Sequence, residues 1–464
     1  MKRERFEYLE VIDINSKGKG VLKSNDGRVI FVQGAVPGDK VTIETYKKKG
    51  GYFEARLIEV NHPSPNRINP VCKHFGICGG CKWQNLSYRM QLQFKQKEIL
   101  HNLKNISGMV LPKIDKIKAA KQTYFYRNKM EYAFSDKRWL SAEEIKVKTE
   151  SLEKKGLGFH KAGMWDKVVD IDKCHLQQEP ANAIRNCVKQ FALDNNLEFF
   201  NHKDQSGFLR TLMIRNSNQG EFMVLIQFYR ENEEQREAIL NYLKDKFHLT
   251  ALLYCINSKA NDTLYDQEII IYDGSEFITE VMEGLKFRVN AKSFFQTNAE
   301  QAYELYKITR EFAGLKGHEL VYDLYTGTGT IALFIAGKCK KVVGVESVPE
   351  AVAVAKENAE INGIKNTFFE VGDMRKVFNL DFINRHGVAD LVITDPPRNG
   401  MHPDVIRHLL VLAPNKIVYI SCNNATQARD LSLMKEKYKL SKCLALDMFP
   451  QTQHIENVVL LEKI

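Results

Sequence analysis

The chain has 464 residues, 44% of them hydrophobic and 27% charged, with a formal net charge of +10. This is globular composition, long enough for roughly three domains with sizeable cores and needing no disulfide staples. No run of about 18 apolar residues occurs, which excludes a membrane-spanning helix. The opening Met-Lys-Arg-Glu-Arg-Phe-Glu leads into no secretory apolar stretch, so the expected location is cytoplasmic.

The charge is uneven. Residues 1–60 hold 12 Lys/Arg against 9 Asp/Glu, residues 61–170 hold 21 against 10, and residues 171–464 hold 34 against 38. A basic front end joined to a near-neutral body points to a polyanion partner. The nine cysteines are an odd number in a chain without a secretory signal, so they do not read as a disulfide framework.

Residues 8–60 predict short strands at Leu9–Ile14, Gly27–Gln33, Lys40–Tyr46 and Ala55–Val60, punctuated by Gly18, Gly20, Gly34, Pro37-Gly38 and Gly50-Gly51. Strands at that spacing predict a small barrel. Val36-Pro37-Gly38-Asp39-Lys40-Val41 resembles the signature of the TRAM domain, an RNA-binding barrel. Pro63, Pro65 and Pro70 form a stiff connector. Asn85 to about Leu103 reads as a helix, with Leu86, Met90, Phe94 and Leu100 at helical spacing. Residues 117–285 are mixed, with a strand at Phe222–Phe228 and a polar helix at Glu231–Phe247.

From about residue 287, strands alternate with helices. Strands are predicted at Leu320–Leu324, Lys341–Val345, Leu391–Thr394 and Lys416–Ile420, and helices at Ile331–Ala336, Pro349–Ile361 and Pro403–Leu412. Alternation of this kind predicts a doubly wound parallel sheet, whose ligands bind beyond the carboxyl ends of the strands.

Asp323-Leu324-Tyr325-Thr326-Gly327-Thr328-Gly329 follows the first strand of this sheet. Its glycines allow close backbone approach to a ligand. Glu346 ends the next strand, placed to accept from ribose hydroxyls, and Asp373 closes the following unit. Together they look like an S-adenosylmethionine pocket. Gly327-Thr328-Gly329-Thr330-Ile331-Ala332 also fits a looser dinucleotide fingerprint, so a dinucleotide-dependent oxidoreductase stays open on the glycines alone. Asp395-Pro396-Pro397-Arg398 follows a strand where many methyltransferases carry an Asp/Asn-Pro-Pro-aromatic turn. Arg398 in place of the aromatic points away from an exocyclic amine target.

Ser421-Cys422-Asn423 ends a central strand, so Cys422 faces the crevice. A thiolate beside a methyl donor suits pyrimidine C5 chemistry. Uracil C5 is a poor nucleophile until a thiolate adds to C6. A base must then remove the C5 proton. His454-Ile455-Glu456 supplies a candidate, its outer two residues pointing one way if the segment is a strand.

Phe294-Phe295-Gln296, Asp323-Leu324-Tyr325-Thr326-Gly327, Glu346, Asp395-Pro396-Pro397-Arg398, Ser421-Cys422-Asn423 and His454-Ile455-Glu456 together resemble the RNA uracil-5-methyltransferase family. Within it, the chain resembles the bacterial 23S ribosomal RNA members with a TRAM domain and an iron–sulfur cluster. The resemblance implies Cys422 as nucleophile and Glu456 as base. It implies donor contacts from Gln296, Tyr325, Gly327, Glu346 and Asp395, with Asp373 a less distinctive match. One departure is Asn424, where family members often have Pro after Cys-Asn; it is expected to alter the loop and not the chemistry.

Cys72-X5-Cys78-X2-Cys81 gathers three thiols within ten residues, and Cys174 is the family-like fourth ligand. This pattern resembles the family's [4Fe-4S] site. Zinc is the rival, since His74 lies in the loop and spacing does not identify the metal. Lys73, Lys82 and Trp83 around the loop point to a structural, RNA-facing role, with a redox role as the alternative.

Tyr124-Phe125-Tyr126-Arg127-Asn128-Lys129 interleaves aromatics with cations, as base stacking and phosphate contact require. Phe294 or Phe295 is the candidate lining for a flipped base.

The expected architecture is α/β in three parts: a TRAM barrel over 1–62, a central α+β cluster-bearing RNA-binding domain over 63–285, and a Rossmann-like methyltransferase domain over 286–464. The helix near 85–108 is expected to pack on the last of these. The expected activity is C5 methylation of uridine in 23S ribosomal RNA. The same reaction on tRNA is the alternative, and a noncatalytic RNA-binding factor the remaining class. No membrane and no obligate protein partner is expected.

Overall fold

A computed structural model describes residues 3–147 and 152–464. Strands β1 (Arg5–Ile14), β2 (Gly20–Lys23), β3 (Val29–Val32), β4 (Lys40–Lys49) and β5 (Tyr52–His62) close into a barrel in the order β1-β2-β3-β5-β4. Alternate residues of these strands point inward, and Val11, Leu22, Ile30, Val32, Val41 and Ile43 fill the centre. Asp39, in the TRAM-like signature, is fully buried. Its carboxylate accepts from Val36 N (2.7 Å), Ser64 N (2.9 Å) and the Arg67 guanidinium (2.6 Å from Nη2), tying the barrel to the proline connector.

Helix α1 (Tyr88–Asn102) follows the cysteine loop. The central domain is a seven-stranded sheet in the order β12-β11-β10-β9-β6-β7-β8. Its strands are β6 (Lys129–Ser135), β7 (Gly156–His160), β8 (Val168–Asp170), β9 (Leu209–Asn216), β10 (Phe222–Phe228), β11 (Ala251–Ile256) and β12 (Ile270–Gly274). Helices α2 (Ala142–Val147), α3 (Ala181–Asp194) and α4 (Glu233–Lys246) accompany it. A hairpin, β13 (Phe277–Met282) with β14 (Leu285–Asn290), comes next. Residue 286 therefore falls inside a hairpin and not between two folded parts. Asn362 and Asn358 accept from the Lys286 and Arg288 N–H groups at 2.8 Å, which fastens the hairpin to the last domain.

That domain is a second seven-stranded sheet, β17-β16-β15-β18-β19-β21-β20. Strands β15 (Leu320–Leu324), β16 (Lys341–Glu346), β17 (Thr367–Val371), β18 (Leu391–Thr394) and β19 (Lys416–Ser421) run parallel. Strand β21 (Glu456–Lys463) is antiparallel to both β19 and β20 (Tyr438–Leu446). The interior strands are nearly continuous apolar runs because helices cover both faces. Helices α5 (Ala299–Ala313), α6 (Thr330–Ala336) and α7 (Pro349–Ile361) cover one face. Helices α8 (Met374–Val377), α9 (Leu380–His386), α10 (Pro403–Leu412) and α11 (Asn424–Met434) cover the other. The strand order reverses direction between β15 and β18, which places the ligand crevice there.

Helix α1 belongs physically to the second face, where Ile99 and Leu103 are fully buried. Its apolar spacing misidentifies the buried side. Leu100 is exposed, and Met90 and Phe94 cover only the small cluster of Val36, Trp83 and Leu86. The face with no exposure carries Gln91, Lys95 and Ile99. Two polar residues replace apolar ones there because each is hydrogen-bonded to the segment 447–451, as described below.

Replacing Asp39 with Ala should strand the Arg67 guanidinium and two buried N–H groups. The expected cost is about 3–5 kcal/mol in chemical denaturation, the range for breaking one side of a buried ion pair.

Candidate active site

The carboxyl ends of β15, β16, β18 and β19 supply the site. Tyr325 takes φ +66°, an uncommon conformation for a residue with a side chain. It opens a turn continued by Gly327 (φ +57°) and Gly329 (φ +76°). A Cβ on Gly329 would stand 2.9 Å from both Ala355 Cβ and Phe369 Cζ, so the turn needs glycine for space as well as backbone angle. The Gly327 N–H donates to Glu346 Oε2 at 3.1 Å, while Glu346 Oε1 holds the backbone of Ser347 and Val348. Glu346 therefore shapes the turn with both oxygens.

Asp323 is buried, and its Oδ2 accepts from Thr326 Oγ1 at 2.6 Å. Its Oδ1 has no partner. A desolvated carboxylate oxygen facing the glycine turn suits a polar or cationic ligand. Burial, with Glu346 adding to it, pushes the Asp323 carboxyl up to about 7. Burial and the neighbouring Asp323 push Asp395 up to about 7 as well. Asp373 lies apart in character. It caps α8 by accepting from Arg375 N (3.0 Å), and its ion pair with the Arg375 side chain holds it down to about 2. Gln296 is partly buried, and its carbonyl accepts from Asn128 Nδ2 at 3.0 Å, linking it to the central domain.

Cys422 directly follows β19 and Glu456 opens β21; Ser421 and Asn457 form the last pair of that ladder, and the Glu456 carboxylate is close enough to raise the Cys422 thiol. Burial, then Glu456 and Asp395, push the Cys422 thiol up to about 11, with Arg398 pulling down. Glu456 is buried and raised well above the carboxylate range by burial and by Asp395. Arg398 is exposed but held in place: its carbonyl accepts from Asn423 Nδ2 (2.9 Å) and Thr426 Oγ1 (3.1 Å). Strand β21 begins only at Glu456, so the two-residue strand period does not extend to His454. Burial lowers His454 to about 4, leaving it a neutral imidazole at neutral pH.

Asn423 caps α11, accepting from Ala425 N at 3.2 Å, and Asn424 occupies the first helical position, where proline is also tolerated. Its side chain instead accepts from Asn102 Nδ2 at 2.8 Å.

Cys72, Cys78, Cys81 and Cys174 line one cavity of about 1030 Å³. Burial raises Cys78 to about 11 and Cys81 to about 12, and Cys174 and Cys72 add to both shifts. No three His, Cys, Asp or Glu side chains among the described residues converge as a single-ion site. His74 shares the cavity, but its Nε2 accepts from Asp172 N at 3.2 Å. Trp83 is not RNA-facing: it is buried, and its indole N–H donates to Gly18 O at 3.2 Å in the barrel. Tyr126 is likewise buried, its hydroxyl donating to Pro450 O at 2.9 Å, so of that aromatic run Tyr124 and Phe125 alone keep exposure. Phe295 is in the core, whereas Phe294 is 67% exposed.

The segment Asp447–Thr452 is the part of the site that sequence reasoning missed. It has no motif, and its signal was the unexplained polar pair Gln91 and Lys95 on α1.

A Rossmann-like sheet, a glycine turn and an N-terminal barrel define a methyltransferase built for RNA, and the comparisons agree. The family model for tRNA (uracil-5-)-methyltransferases matches residues 112–464. An uncharacterized RNA methyltransferase of Porphyromonas gingivalis is 47% identical over 461 residues, covering 98% of this chain and 99% of the relative. One from Bacteroides thetaiotaomicron is 49% identical over 451 residues, covering 96% and 99%. The solved Pyrococcus abyssi tRNA (uracil-54, C5)-methyltransferase in complex with S-adenosyl-L-homocysteine is 29% identical, with a TM-score of 0.75 over 99% of this chain and 100% of that one. The chain belongs to the tRNA (uracil-5-)-methyltransferase family. It is an S-adenosylmethionine-dependent RNA methyltransferase. Among the described residues, no helix is long and apolar enough to cross a membrane.

Between pH 4 and about 7, folded Asp323 keeps a proton that the unfolded chain has shed. Its carboxyl therefore costs stability increasingly as pH rises through that window. Asp323→Asn should gain on the parent by a few kcal/mol between pH 5 and pH 8 in paired denaturation curves; a pH-independent difference would contradict the shift.

Proposed function

We propose that the chain methylates C5 of uridine in 23S ribosomal RNA, with Cys422 as nucleophile and Glu456 as base. The observation that carries the chemistry is the approach of these two side chains at the end of the β19–β21 ladder, where Glu456 and Asp395 both act on the Cys422 thiol. Cys422 as thiolate adds to C6, and C5 then takes the methyl group of the donor, releasing S-adenosylhomocysteine. Glu456 as carboxylate takes the C5 proton, whose electron pair re-forms the C5=C6 double bond as the C6–S bond breaks to return the Cys422 thiolate. Arg398 supports the thiolate, since its charge pulls the Cys422 thiol down against burial. Gln296, Tyr325, Gly327, Glu346 and Asp395 are proposed to hold the donor, and Asp373 to border it from the cap of α8. Phe294, exposed two residues before Gln296, is the proposed stacking partner of the flipped base.

Ribosomal RNA is favoured by the family resemblance that the TRAM-like barrel and the cysteine pattern carry, while the basic excess of residues 61–170 suits either RNA. A second reading, tRNA, is favoured by the substrate in the name of the Pyrococcus abyssi enzyme. Both RNAs, made without modifications and incubated with labelled donor, separate the two by nucleoside mapping.

The four cavity thiols are proposed to hold a [4Fe-4S] cluster. An all-thiol donor set lining one cavity suits an iron–sulfur cluster. When bound, the cluster supplies a rigid cross-link between the cysteine loop and Cys174. Anaerobically purified protein should contain iron and acid-labile sulfide, and Cys81→Ser should lose both; zinc alone on metal analysis would overturn the assignment.

Cys422→Ala should abolish turnover with S-adenosylhomocysteine affinity near that of the parent. Glu456→Gln should accumulate a covalent RNA–protein adduct on denaturing gels. Retained turnover in the first, or no adduct in the second, would remove the corresponding role.

A further inference from the structure

Each backbone carbonyl from Asp447 to Gln451 has a donor from a distant part of the chain. Gln301 Nε2 reaches Asp447 O (2.8 Å) and Asn298 Nδ2 reaches Met448 O (2.9 Å), both at the start of α5 just after Gln296. Lys95 Nζ reaches Phe449 O (3.1 Å) from α1. The Tyr126 hydroxyl takes Pro450 O (2.9 Å), and the N–H groups of Lys82 and Trp83 take Gln451 O (2.9 and 3.0 Å). The segment runs on to Thr452, whose Oγ1 accepts from His454 N at 3.2 Å, and to Glu456 at the head of β21.

Two side chains of α1 do most of the holding. Lys95 and Asp447 form an ion pair of 2.5 Å with no exposure on either side. Gln91 is fully buried and makes a reciprocal pair with Gln451: its Oε1 accepts from Gln451 N at 2.9 Å, and its Nε2 donates to Gln451 Oε1 at 3.0 Å. Gln451 sits at φ +66°, a conformation that persists only where the surroundings over-determine it. A buried ion pair adds little stability over an apolar pair of the same volume, but it fixes direction. Helix α1 is itself seated in the catalytic core through Ile99 and Leu103, so the reference point is rigid.

We propose that Lys95 and Gln91 are positioning residues for proton removal at C5: from α1 they fix the path of residues 447–452 and, through it, the place of the Glu456 carboxylate. The proposal rests on the base assignment above. A misplacement of about 1 Å at a reacting group costs up to about a hundredfold in rate, so the hold is kinetically relevant.

Removing Lys95 alone would leave the Asp447 carboxylate unpaired in the interior. The informative variant is therefore Lys95→Met with Asp447→Asn, in which both charges leave and Phe449 O loses its donor from α1 while keeping that from Thr452 Oγ1 at 2.8 Å. Gln91→Met tests the other end of the segment. Each is compared with Glu456→Gln for kcat, KM for RNA, S-adenosylhomocysteine affinity and methylated covalent adduct on denaturing gels. The expected result is a kcat about 10- to 100-fold lower, with KM and S-adenosylhomocysteine affinity near the parent's and adduct accumulating as in Glu456→Gln. Adduct in Glu456→Gln with parental kcat in either folded variant overturns the positioning role and leaves the base assignment standing. No adduct in Glu456→Gln removes the base assignment and the positioning role with it. Loss of S-adenosylhomocysteine binding in both α1 variants means a purely structural contact and also overturns the proposal.

Discussion

An ammonium group gives up water at a cost that a partner charge and hydrogen bonds must offset. Burial pulls the proton affinity of Lys95 down and Asp447 opposes it; Nζ donates to Asp447 and to the Phe449 carbonyl, and the contacts around residues 447–452 are built on that pair. It requires α1 to lie on the catalytic sheet although the whole central domain intervenes in sequence. It requires an irregular segment with no strand or helix to satisfy its own carbonyls. That segment recruits donors from α5, from the central domain and from the cysteine loop, so the parts share one polar junction beside the reactive end of the sheet.

At the crevice itself the electrostatics are one-sided. Asp323, Asp395, Glu456 and Cys422 all have proton affinity raised by burial, and the carboxyl groups raise one another and the thiol. Arg398 is the cation that opposes this at Cys422. A sulfonium donor brings positive charge to a place that lacks it, and each acidic group then ionises more readily. The ligand thus completes the charge balance that the two-step chemistry needs, and the folded chain carries the strain until it arrives.

The catalytic sheet was legible because its strands are unbroken apolar runs closed by short motifs; β15, β18, α7 and α10 match their predicted bounds. The barrel was legible from its glycine and proline turns. Function-bearing positions at strand ends came with their motifs, whereas the roles of Trp83 and Tyr126 did not, because an aromatic beside a cation looks alike whether it stacks on a base or caps a core. Helix α1 defeated apolar periodicity for a related reason. Its innermost face is polar, and only the partner residues, some 350 positions away, explain why Gln91 and Lys95 are buried. At Asn424 the sequence showed only a departure from proline; that Asn423 caps α11 and that the Asn424 side chain bonds Asn102 is visible only in the fold.

Strand β21 lies between β19 and β20, both of which are made before it. Those two neighbours have no ladder to one another and must wait, edges open, for a later piece of chain to be threaded through the gap. Any copy cut short upstream of Glu456 would present two unpaired edges of mostly apolar strand, the usual template for self-association. The same insertion brings the Glu456 carboxylate to the end of β19, beside Cys422. Completion of the sheet and the meeting of these two side chains are consequently a single event.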